Sequence, residues 1–110
     1  MKNVLMTYAS LVDGAMTGNL TSDLTDIRWL DNMVMFISWT GTPTGTFVVE
    51  TSPNKTDWYA LNLYPIPVVS GVAGNHRIHM NQLPDPYIRT RYVFTSGSGT
   101  ANVTIAGKLV

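Results

Sequence analysis

The chain has 110 residues, seven Lys+Arg against seven Asp+Glu, and only 13% charged residues. That length points to one domain able to bury a core without staples, and the absence of cysteine excludes a disulfide, a thiolate metal site and a Cys nucleophile. Sparse and balanced charge leaves no long-range field to draw in nucleic acid or a membrane surface, and it favours association with a protein partner.

The opening "MKNVLMTYASLVDGAM" is too short and too interrupted by Thr7, Tyr8 and Ser10 for a membrane helix, and it makes a poor signal peptide. Synthesis in the cytoplasm is expected. Its apolar residues include Val4, Leu5, Met6, Tyr8, Leu11, Val12 and Met16, but they keep no clean period. Two readings stand: residues 1–16 are a contact arm that orders against a neighbour, or they are the first strand of the domain.

Strand composition, rich in Thr, Val, Tyr and Ile, continues along the chain. Strands are expected at about 4–8 and 17–21. In "SDLTDIRWLDN", Asp23, Asp26 and Asp31 are interrupted by Leu24, Ile27, Trp29 and Leu30, which suits Asx turns better than a calcium loop. "MVMFISW" alternates Met33, Met35, Ile37 and Trp39 with Val34, Phe36 and Ser38. "TGTPTG" at 40–45 reads as a hairpin loop and "SPNKTD" at 52–57 as a second loop, with strands near 46–51 and 57–63. "YPIPVVSGVAGN" at 64–75 is the longest irregular piece, followed by a strand near 75–80. The two prolines of "LPDP" at 83–86 mark a connection between sheets. "YIRTRYVFT" and "ANVTIAGKL", joined by "SGSG", alternate with period two.

These signals predict a single all-β domain, residues 1–110: an antiparallel β-sandwich of jelly-roll type with about eight short strands. The shared phase of the strands places Ile37, Trp39, Val49, Leu61, Tyr92, Phe94, Val103 and Ile105 in the core.

No catalytic constellation is legible. His76 and His79 would point to opposite faces of a strand and cannot share a metal ion. Glu50, Asp57 and Asp85 are not paired by any pattern, and neither a phosphate loop nor a nucleophile elbow is present. The expectation is a protein with no enzymatic activity, cofactor or metal. Arg89 and Arg91 share one face of their strand with Tyr87 and Val93, either as a solvated face or as a patch for a partner. Trp29, Trp39 and Trp58 together could form a sugar-stacking platform, but Trp39 ends an apolar alternation and reads as core. Trp58, after a polar loop, reads as a cap on the barrel end or as exposed.

Over roughly residues 17–110 the chain resembles a known family. The elements are Trp39-Thr40-Gly41, Pro43 and Gly45, the turn from Ser52 to Trp58, Pro86-Tyr87-Ile88-Arg89, and the turn from Ser96 to Gly99. In that order they are similar to small β-sandwich virion proteins of tailed bacteriophages, the capsid decoration, cement and staple proteins of the epsilon15-like type. The resemblance implies a protein made in the bacterial host cytoplasm that sits on the capsid exterior of the virion. It would stabilise the shell by bridging subunits of the major capsid protein, and the family offers no catalytic residues. Val4, Leu5 and Tyr8 of the first segment and Tyr87, Arg89 and Arg91 are then the candidate contact residues. A homodimer is expected from the sparse charge, since twofold pairs are the commonest closed assembly. The alternative is a carbohydrate-binding β-sandwich of a phage tail, a fibre or a cell-surface protein, with Trp58, "SPNKTD" and "YPIPVVSGVAGN" lining the sugar site.

Overall fold

The computed structural model describes residues 5–61, 69–80 and 83–109, with the side chain of residue 109 left aside. The described chain is all-β. Its strands are β1 (Leu5–Ala15), β2 (Leu20–Thr21), β3 (Thr25–Asp26), β4 (Leu30–Gly41), β5 (Thr44–Ser52), β6 (Tyr59–Ala60), β7 (Val69–Ser70), β8 (Gly74–Met80), β9 (Tyr87–Ser96) and β10 (Gly99–Leu109). One sheet has the order β1-β10-β4-β8. The other has the order β2-β9-β5-β6, with β3 also on β9 and β7 also on β5. All pairings are antiparallel.

Counting β2 with β3 and β6 with β7 as interrupted strands leaves eight positions. Those strand orders are the two halves of a jelly roll, in which the chain crosses from sheet to sheet at most connections. The expected fold is therefore the one observed.

Alternation builds the core. Met33, Met35, Ile37 and Trp39 of β4 are buried, and so are Val103 and Ile105 of β10. They meet Phe47 and Val49 of β5 and Ile88 and Tyr92 of β9 from the other sheet. Trp39, Phe47 and Tyr92 form a chain of tilted rings with centroids 5.5 and 5.1 Å apart. Each such side chain contributes about 1.5–3 kcal/mol on burial. Thr90, in the same layer, donates its hydroxyl to Met35 Sδ at 3.2 Å. Six of the eight expected core residues are buried; Leu61 and Phe94 pack against the core from its rim, only partly covered.

Three expectations need correction. The "TGTPTG" stretch is not a hairpin loop, because β4 and β5 lie in different sheets. It is a corner, clasped to the neighbouring "SGSG" corner by Thr42 N–H donating to Ser98 O at 2.9 Å. Both corners need left-handed backbone, at Gly41 (φ 87°) and Gly97 (φ 84°). Secondly, the contact-arm reading of residues 1–16 fails over its described part. Leu5–Ala15 is an integral edge strand paired with β10, and Met6, Tyr8 and Leu11 pack on the core. Thirdly, the strand expected at 57–63 is reduced in its described part to Tyr59–Ala60; residues 62–68 lie outside the described residues. By contrast, "LPDP" does connect sheets, from β8 to β9.

Candidate functional site

The outer face of the β9 sheet carries the charged cluster. Register places Glu50 directly opposite Arg89, and Arg89 Nε donates to Glu50 Oε1 at 2.8 Å. Arg91 Nε lies 3.2 Å from Glu50 Oε2, close enough for an ion pair but misaligned for a hydrogen bond. The Arg89 guanidinium also lies over the Trp58 ring, 4.0 Å from its centroid. Tyr87 has Lys55 5.1 Å and Arg28 5.8 Å from its ring centroid. Arg28 in turn binds both carboxylate oxygens of Asp26. This hydrogen-bonded ion pair holds the Asp26 carboxyl below the usual carboxylate range and raises the guanidinium. Tyr87, Arg89, Arg91 and Val93 thus share a face as their phase implied. Their cations, however, are engaged within the chain, and Glu50 is the residue that sequence reasoning left unassigned to them. Trp58 has one ring face covered by Arg89, which leaves it a poor sugar platform.

The outer face of the β10 sheet differs. One row across it runs Ala9, Thr104, Phe36 and Arg77; the next runs Thr7, Ala106, Val34 and His79. Phe36 stands 44% exposed among small side chains, and Leu5, at one corner, is 64% exposed. Of the expected contact residues, Leu5 therefore faces solvent on this sheet. Tyr8 turns inward, and Val4 lies outside the described residues.

A third feature lies along the open side of β1. Thr7, Tyr8 and Ser10 form one wall of an open groove of about 550 Å³; Asp23, Asp26 and Trp29 line the rest. Segment 22–26 is tacked to both sheets. Ser22 Oγ accepts from Thr90 N at 2.9 Å, and Asp23 N donates to Ser10 O at 2.9 Å. Beyond it, Leu30 N donates to Ile27 O at 3.1 Å, closing a turn that presents Trp29. Ile27 and Leu30 are buried while Trp29 is 67% exposed. The groove escaped sequence reasoning because its walls come from separate stretches. The one local signal is a Trp out of phase between two inward residues.

His76 and His79 occupy opposite faces of β8, half-buried and exposed respectively. Among the described residues there is no group of three or more His, Asp or Glu side chains placed to hold a metal ion.

These surfaces belong to a jelly-roll sandwich, and that class is what the comparisons with known proteins show. No family model and no curated protein matches the sequence. Among solved structures, the chain is similar to the SPBc2 prophage-derived protein YomS, with a TM-score of 0.64 at 7% identity over 94% of this chain and 96% of that one. It is also similar to a chain in the structure of infectious bursal disease virus, Gx strain, with a TM-score of 0.57 at 10% identity, covering 96% of this chain and 32% of that one. A third likeness is to the low-affinity xylan-binding module CBM86 from Roseburia intestinalis, with a TM-score of 0.51 at 11% identity, covering 97% and 96%. At such identities the likeness is one of fold.

Proposed function

We propose that the chain is a bacteriophage capsid decoration protein, a cement or staple that lies on the outer surface of the shell and bridges subunits of the major capsid protein. The observation that carries this reading is the outer face of the β10 sheet. Its centre is low in charge, built of Thr, Ala, Ser and Asn around the exposed Phe36 and half-buried Val34, with Arg77 and His79 on the β8 edge and Lys108 toward one end of β10. Such a face can lie on another protein without desolvating many charges, whereas the opposite face is occupied by its own ion pairs. The resemblance carried by residues 17–110, together with the prophage and viral fold neighbours, supports the same reading. Bridging stabilises a shell by mass action, because separating two subunits must also break the staple's contacts.

The proposal includes a twofold dimer as the working unit. Sedimentation of the isolated protein as a clean monomer would count against the free dimer.

Mass-spectrometric stoichiometry on purified particles tests the main claim. Hundreds of copies per particle are expected, and a few or a dozen would place the protein in a tail. Phe36→Asp should fold normally, since Phe36 faces outward, and should fail to decorate particles that lack the wild-type protein.

A further inference from the structure

We propose that the groove between β1 and the Ile27–Leu30 turn binds a neutral glycan chain, with the Trp29 indole as stacking platform and Asp23 as an acceptor for sugar hydroxyls. The inference does not rest on the shell-binding reading, although Thr7 and Ala9 at the groove's rim border that face.

The first support is Trp29 itself. A large aromatic side chain 67% exposed is not part of the core, yet its backbone is firmly placed. Ile27 N donates to Pro86 O at 2.9 Å, Asp26 Oδ1 accepts from Arg28 N at 3.1 Å, and the flanking Ile27 and Leu30 side chains are sunk in the sandwich. A platform fixed in this way needs little ordering when a ligand arrives.

The second support is the chemistry around it. A pyranose ring offers an apolar C–H face and a rim of hydroxyls. It is matched by an aromatic face with acceptors beside it. The groove sets Asp23 on the same lining as Trp29, with Tyr8 and Ser10 of β1 also lining it. The open side of an edge strand adds backbone N–H and C=O groups that its sheet partner does not use. The volume, about 550 Å³, falls within the range of small-ligand sites, about 300–1,000 Å³.

The third support is selection by charge. Asp23 brings a negative charge to the groove, Asp26 is balanced by its ion pair with Arg28, and the lining itself includes no Lys or Arg. Anionic sugars are therefore disfavoured and neutral ones admitted. Trp58, the other half-exposed indole, cannot replace Trp29, because Arg89 lies on its ring.

The test is a titration of ¹⁵N-labelled protein, followed by NMR, with xylohexaose, cellohexaose, maltohexaose and chitohexaose, and with oligogalacturonate as the anionic control. At least one neutral hexasaccharide should give saturable shifts at the Trp29 indole N–H and at the amides of 7–10 and 23–26, with a dissociation constant in the millimolar range. Trp29→Ala should weaken that binding about tenfold or more. Trp58→Ala should leave it unchanged. Silence from every neutral member of the panel would overturn the proposal, as would shifts centred on Trp58, tighter binding of oligogalacturonate, or wild-type affinity in folded Trp29→Ala. A groove that instead seats a neighbouring protein would produce that silence.

Discussion

Arg89 Nε donates to Glu50 Oε1 at 2.8 Å across the β5–β9 pair, joining two residues that stand directly opposite in register. Glu50 has only 11% of its side chain exposed, yet it also faces Arg91. Replacing it with Gln leaves two guanidinium groups facing each other without their counter-ion. Glu50→Gln should therefore cost about 1–3 kcal/mol. Arg91→Gln should cost less than about 1 kcal/mol, because the Arg91 side chain is 42% exposed and its geometry is poor. Urea unfolding of the two variants checks the order, and equal losses would mean that Glu50 is not the hub.

Tyr92 is 1% exposed, and its hydroxyl finds no hydrogen-bond partner among the described residues. Burial raises its pKa above the ordinary value of 10. The unfolded chain therefore ionises first as pH climbs past 10. The stability linked to this phenol is fully present below that pH and is lost as pH rises toward the folded-state value. Tyr92→Phe should flatten this alkaline loss and leave stability at neutral pH unchanged or higher. Thermal melts of both forms at neutral and alkaline pH measure it, and a marked loss in the variant at neutral pH would show that the hydroxyl has a structural partner.

Gly97 allows the two corners to clasp. A Cβ there would meet Thr42 O at 2.1 Å, on a backbone already at φ 84°. Gly97→Ala must therefore move main chain as well as adopt a strained φ, and it should lower stability by about 2 kcal/mol or more. The loss should appear in the denaturation midpoint, and a change within about 0.5 kcal/mol would contradict the clasp.

Asp26 carries the acid-side prediction. Its pKa is lowered by Arg28, so its contribution is present above the unfolded value of 3.8 and disappears only as pH falls through the still lower folded value. Carboxyl-detected NMR should find Asp26 titrating below its normal range. Arg28→Gln should return it toward normal. Because both side chains are substantially exposed, the stability that Arg28→Gln removes near neutral pH should be small.

Some of this architecture was legible in the residues and some was not, for physical reasons. β4, β9 and β10 are long and keep an unbroken alternation over residues 33–39, 87–94 and 101–108, so period two shows both faces. The same phase put Tyr87, Arg89, Arg91 and Val93 together. β1 is equally long, but its register shifts between Ala9 and Leu11 and again between Leu11 and Gly14. Each bulge resets the period, which is why the first segment looked patternless. Strands β2, β3, β6 and β7 have two residues each and no period to detect. The corner at 40–45 uses the same Gly chemistry as a hairpin; which sheet the next strand joins is decided elsewhere in the chain. Likewise the Glu50–Arg89 contact needed register, and the groove beside Trp29 needed the distant β1 wall.

The pairing of β1 with β10 places the earliest-made described strand against the last. On the ribosome, Leu5–Ala15 has no neighbour in its sheet until Gly99–Leu109 has emerged. Until then Met6, Tyr8 and Leu11 lack the sheet that holds them on the core. Closure of that sheet thus waits for the last strand of the domain and depends on contacts far apart in the chain, which makes for slow folding. Stalled or truncated nascent chains would retain the β5–β9 half while offering an unfinished sheet, and such chains would be the aggregation-prone and protease-sensitive species during production.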